Sequence, residues 1–180
     1  MAQDPRILIY SFYRDAELRG ARLLLALTRL MDDRDAQAKL TRHLADETRH
    51  ALLWSERIAQ LGGAPIEVAD GYQRRLHTRI GVPTDLIEIY ALTLVAEERA
   101  QSRYLAHAGM KTVDPATAKL LTDIARDEEW HLQWIAAKLN QLATQRADNV
   151  HLARTLERYR TLEREVYSEI EEYESALLRQ

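Results

Sequence analysis

Asp127-Glu128-Glu129-Trp130-His131 and its near copy Asp46-Glu47-Thr48-Arg49-His50 decide the fold of this chain. In each, a Glu and a His stand three positions apart, so on a helix both side chains leave one face with Cβ atoms roughly 5–6 Å apart. Both pairs also interrupt apolar seams. Steps of three and four through the second copy give Leu121, Ile124, Glu128, His131, Ile135 and Leu142; through the first they give Leu40, His43, Glu47, His50, Trp54 and Leu61. A stripe that hides Leu and Ile does not take in ionisable groups without compensation. Desolvating an unpaired carboxylate costs several kcal/mol or forces it to protonate. A bound metal removes that penalty.

Working outward, helical periodicity and punctuation place the remaining elements. Asp4-Pro5 predicts an N-cap with proline at the first helical position, opening a helix that carries apolar periodicity from Ile7 to Met31. Its inner stripe is Tyr10, Tyr13, Glu17, Gly20, Leu24, Leu27 and Met31. A short turn at Asp32-Asp33-Arg34-Asp35 sends a second helix back antiparallel until Gly62-Gly63 stops it. Residues 62–83, punctuated by Pro65, Gly71, Gly81 and Pro83, are too long for a tight turn and suit a crossover, with a helical turn within Tyr72 to Ile80. A third helix runs from Thr84-Asp85 to about His107, with Tyr90, Leu94, Glu97, Ala100 and Tyr104 inward. Asp114-Pro115 opens a fourth, ending near Gln145.

The halves are duplicates. Ala16-Glu17-Leu18-Arg19-Gly20 matches Ala96-Glu97-Glu98-Arg99-Ala100 at an offset of 80, and the Glu-His pairs match at an offset of 81. The expected architecture is all-α: a four-helix bundle over residues 1–146, with one long crossover between helices 2 and 3. A C-terminal amphipathic helix follows over 147–180, striped by Leu152, Leu156, Tyr159, Leu162, Val166, Ile170, Tyr173 and Leu177. That helix packs on the bundle or joins subunits of a homo-oligomer.

Composition narrows the function. The 180 residues include 6 Gly and 4 Pro, which favours helix, and carry a net charge of −3, which gives no electrostatic case for nucleic acid. With no cysteine, disulfides and thiolate metal sites are excluded. The opening residues Met1-Ala2-Gln3-Asp4-Pro5-Arg6 lack the basic and apolar run of an export signal, and no apolar stretch approaches the roughly 20 residues that span a bilayer. A soluble cytoplasmic protein with no membrane partner is the expectation.

Glu17, Glu47, His50, Glu97, Glu128 and His131 therefore form a candidate ligand set for two metal ions. Four carboxylates carry −4 and two divalent ions +4, so a buried centre is neutral. Oxygen-rich coordination with two imidazoles favours two iron ions, with manganese or a mixed Fe/Mn pair as the alternative, over zinc. Glu47 and Glu128 are expected to bridge the ions, Glu17 and Glu97 to be terminal, and one His to serve each metal. Asp46 and Asp127 are expected to orient the His of the opposite copy through its ring N–H.

Ile124-Ala125-Arg126-Asp127-Glu128-Glu129-Trp130-His131 with Trp134, Asp46-Glu47 with His50-Ala51, Glu56-Arg57-Ile58 and Leu61-Gly62-Gly63-Ala64-Pro65 resemble the ferritin-like superfamily, most closely bacterioferritin, over about residues 5–145. The resemblance implies a di-iron centre that reacts with dioxygen or peroxide while oxidising Fe(II). Three positions depart from it. Thr48 stands where bacterioferritins carry a haem-binding Met, so no haem is expected. The last helix is longer than the one lining the pores of a ferritin shell. Rubrerythrins, which also resemble the bundle, mostly have a four-Cys domain and an extra Glu where Gly20 and Ala100 stand here.

The expected activity is a ferroxidase or peroxidase type of oxidoreductase. The alternatives are an oxygenase or hydroxylase acting on a small organic molecule, and a non-catalytic metal-binding helical protein. Among other residues, His43 is expected as a hydrogen-bonded core histidine, with an extra ligand or proton relay as the alternative. Tyr10, Tyr13, Tyr90 and Tyr104 are expected to pack as aromatics. Glu98, Glu129, His77, His107 and His151 are expected on the solvated surface.

Overall fold

The computed structural model describes residues 4–31 and 33–178; Asp32 and the side chain of Leu177, both part of the sequence reading, lie outside what is described. Six helices occur among the described residues: α1 (Pro5–Thr28), α2 (Arg34–Gln60), α3 (Tyr72–Ile80), α4 (Leu86–Ala108), α5 (Pro115–Gln145) and α6 (Asn149–Leu178). They fall into two compact units, Met1–Arg75 with Tyr167–Gln180, and Leu76–Val166. None of the described helices is long and apolar enough to cross a membrane.

The helix ends follow from local chemistry. The Asp4 carboxylate accepts from Arg6 N ahead of Pro5, and Asp114 accepts from Ala116 N and Thr117 N ahead of Pro115, so both Asp-Pro pairs are caps as expected. Gly62 (φ 77°) ends α2 in a left-handed residue: its N–H donates to Ala59 O and that of Gly63 to Ile58 O, which satisfies the last carbonyls. The end of α5 copies this pattern without glycine. Ala147 takes φ 53°, its N–H donates to Thr144 O, and Asp148 N donates to Ala143 O. α1 stops at Thr28, three residues before the expected Met31, and the loop is tied by Gln37 Nε2 donating to Met31 O.

In the first unit α1 and α2 lie antiparallel, because early residues of one meet late residues of the other. Arg14 Nε donates to Ser55 Oγ (2.8 Å), and Tyr10 and Tyr13 stack on Trp54 with ring centroids 5.3 and 5.0 Å away. The chain leaving α2 is pinned back on α1, where Ile66 N donates to Ser11 Oγ. Phe12 meets Tyr173 and Tyr72 meets Tyr167, both edge to face, which seats the last part of α6.

In the second unit α4 and α5 form the equivalent antiparallel hairpin: Tyr90 meets Trp134 edge to face, and Gln101 Nε2 donates to Ala125 O. The α6 stripe is rotated from the expected one. Its buried positions are Leu152, Thr155, Tyr159, Glu163, Val166 and, in the first unit, Ile170. Glu163 is buried because Arg99 donates to both of its oxygens (2.6 and 2.9 Å). Glu98, expected in solvent, receives the same two-pronged contact from Arg160 (2.9 and 2.5 Å). The two pairs run in opposite charge order between α4 and α6, a geometry that Arg's planar fork favours.

Candidate functional site

The repeat places three expected ligands in each unit. Glu17 on α1 and Glu47 and His50 on α2 belong to the first; Glu97 on α4 and Glu128 and His131 on α5 belong to the second. All six are buried, with Glu97 the most exposed at 6%. Helical spacing explains why: each sits on the seam that also buries Leu24, Trp54, Leu94 or Ile135.

In the first unit, one ligand atom each of Glu17, Glu47 and His50 lie within 4.8 Å of one another. His50 Nδ1 is 3.6 Å from Glu17 Oε2. Its other nitrogen, Nε2, lies 3.3 Å from Arg49 Nη2. A guanidinium only donates, so in this contact Nε2 is the acceptor, and Nδ1 is the nitrogen that faces Glu17. Arg49 also donates to Asp46 Oδ1 (2.9 Å), which holds that carboxylate beside the site. Glu47 is oriented by two features. Its Oε1 lies 3.4 Å from Nε2 of His43, a fully buried imidazole one turn earlier on α2. Its Oε2 lies over the backbone of Gly20, where an added Cβ would come under 3.0 Å from it. The glycine is therefore a requirement of this close approach.

In the second unit, ligand atoms of Glu97 and His131 fall within 4.8 Å of each other, and His131 Nδ1 is 2.6 Å from Glu128 Oε2. Trp130 lies edge to face on His131 with centroids 5.6 Å apart. Asp127 is half-buried beside Glu128. The same Glu-x-x-His spacing thus gives two carboxylate orientations: Glu128 turns to the His of its own motif, Glu47 toward an additional His.

Of the residues expected on the solvated surface, Glu98, paired with Arg160, and two histidines need correction. His107 is buried, and burial together with the neighbouring Arg103 pushes its pKa down to about 4, partly opposed by Asp114. His151 is half-buried, with Nε2 3.0 Å from Asp85 Oδ2. Glu163 was missed, although it stands on the α6 seam by the same rule that singled out Glu17 and Glu97. Tyr10, Tyr13, Tyr90 and Tyr104 are buried aromatics, and Glu129 and His77 are exposed, as expected.

The donor chemistry of both units suits a hard or borderline cation: carboxylate and imidazole, buried, with space for Glu47 provided by Gly20. The comparison with known families agrees. The description "Ferritin-like domain" matches residues 29–144, well over half of the chain, whereas no curated protein and no solved structure matches it. The chain belongs to the ferritin-like domain family, an all-α bundle, here with an additional C-terminal helix.

Proposed function

We propose that the chain is a di-metal carboxylate oxidoreductase that oxidises Fe(II) with dioxygen or peroxide. Glu17, Glu47 and His50 from one half and Glu97, Glu128 and His131 from the other would hold two iron ions, or manganese in their place. The observation that carries this reading is the burial of all six side chains, with carboxylate set against imidazole in each half. By contrast Glu163, a further buried carboxylate on a seam, is neutralised by Arg99. Family membership supports the same reading.

When bound, the metal pair supplies electrons to an oxidant through its ferrous and ferric states. The protein groups bind and orient. Four carboxylates balance two divalent charges, and exclusion of bulk water strengthens each carboxylate–cation attraction. To bind a cation through Nδ1, a neutral His50 would carry its ring proton on Nε2, so the contact of Arg49 with that nitrogen would be given up. Asp46 and Asp127, beside Glu47 and Glu128, would accept the outer ring N–H of a ligand histidine.

Aerobic titration of metal-free protein with Fe(II), followed by absorbance, tests this. Rapid oxidation saturating at two irons per chain is expected, and its loss in Glu47→Ala. Iron binding without oxidation would overturn the oxidoreductase assignment. No binding would overturn the metal centre itself.

A further inference from the structure

We propose that His43 is a seventh ligand of the metal pair, bound through Nε2 to the ion on the Oε1 side of Glu47, so that the two ions have unequal donor sets. The inference rests on the di-metal reading above and deepens it.

His43 occupies a seam position and is fully buried. An imidazole is an expensive occupant of such a place unless both its nitrogens serve a purpose. Its Nε2 faces Glu47 Oε1 at 3.4 Å. A hydrogen bond between a histidine and a carboxylate closes to roughly 2.7–2.9 Å; the second-half pair, His131 and Glu128, does so at 2.6 Å. The longer separation instead fits two donors on one cation. With bonds of about 2.1 Å at a right angle, neighbouring ligand atoms stand about 3 Å apart, and wider angles lengthen this. The 3.6 Å between His50 Nδ1 and Glu17 Oε2 has the same character.

The internal repeat supplies the independent observation. An offset of 81 sets Ile124 opposite His43, and an offset of 80 sets Ala100 opposite Gly20. These two departures act on one carboxylate. Gly20 leaves room for Glu47 Oε2 against the α1 backbone, and with that oxygen so placed, Oε1 faces His43. Glu128, with neither feature in its half, turns to His131. A neutral imidazole leaves the charge balance of four carboxylates and two divalent ions unchanged. It adds a nitrogen donor to one ion only, which strengthens that position for first-row transition metals.

The test is Mn(II) binding to the metal-free protein, read by calorimetry and by pulsed EPR on protein carrying isotope-labelled histidine. Two Mn(II) per chain are expected, with affinities about tenfold or more apart. The first equivalent should show two directly bound imidazole nitrogens. His43→Ile, which copies the second half, should still take up two Mn(II), with one nitrogen on the first and the affinities drawn together. His43→Gln keeps polarity without the ring and should lose the same nitrogen, a control should the Ile variant fold poorly. One nitrogen on the first Mn(II) of the unaltered protein overturns the inference while leaving the metal centre standing. Failure of the unaltered protein to take up two Mn(II) overturns the di-metal reading and this inference with it.

Discussion

Replacing Gly20 by alanine should move two measurable quantities in opposite directions. Gly20 lies inside α1, where glycine costs roughly 0.5–1 kcal/mol relative to alanine because of its backbone freedom in the unfolded chain. In the metal-free protein the new methyl meets the Glu47 carboxylate, the mobile end of a side chain, whose Oε2 would lie under 3.0 Å away and whose Cδ would lie 3.4 Å away. Gln73 Nε2 is more distant, at 3.8 Å. The oxygen has to retreat by about 1 Å to reach ordinary contact, which a free carboxylate does cheaply. Stability without metal should therefore hold or rise by up to about 1 kcal/mol. A metal-bound carboxylate has no such freedom, since ligand distances are held to about ±0.2 Å. Mn(II) affinity should fall about tenfold or more, equivalent to about 1.4 kcal/mol. Urea unfolding in the presence of chelator and Mn(II) calorimetry measure the two effects. Unchanged Mn(II) affinity in Gly20→Ala would refute the claim that Glu47 is a ligand pressed against α1.

Other expectations test the scaffold. His107 titrates at about 4 in the fold against 6.5 when free, because burial and Arg103 disfavour its charge. The unfolded chain then binds the extra proton first, so stability present above pH 6.5 is lost as pH falls toward 4, by up to roughly 3 kcal/mol. His107→Gln should flatten that part of the profile in urea unfolding at pH 7 and pH 4.5, and an unaltered slope would discount the burial. Ala147→Gly relieves a left-handed alanine at φ 53° and should stabilise by about 0.5–1 kcal/mol in thermal unfolding; destabilisation would contradict the strain. Glu163→Leu strands the Arg99 guanidinium and should cost about 2 kcal/mol. Adding Arg99→Met should restore most of it, and purely additive losses would mean that the pair does not act as a unit.

Much was legible because it is encoded within one or two turns of chain. Asp4-Pro5, Asp114-Pro115 and Gly62-Gly63 mark helix ends through backbone chemistry that needs no distant partner. The seams through Glu17, Glu47, Glu97 and Glu128 predicted burial because periodicity of three and four is a property of each helix alone. Misjudged residues depended on a neighbour. Glu163 and Glu98 are placed by Arg99 and Arg160 on a facing helix, and His151 by Asp85, 66 positions away. His107 is the exception: it continues the α4 stripe three positions after Tyr104, so its burial follows the same local rule. α3, expected as a helical turn within Tyr72 to Ile80, is a nine-residue helix over that span whose Tyr72, Leu76 and Ile80 are buried.

By itself the amino-acid sequence determined the helices, the duplicated half and the six acidic and imidazole side chains that face inward, because caps and periodic stripes are local. Only the tertiary structure decided that the halves are unequal. Whether a carboxylate turns to His131 or toward His43 depends on what the adjoining helix places beside it, and between α1 and α2 that is the bare backbone of Gly20. α6 likewise depends on its neighbour: Glu163 is buried where Arg99 meets it, while Leu156 and Leu162 are only half-buried.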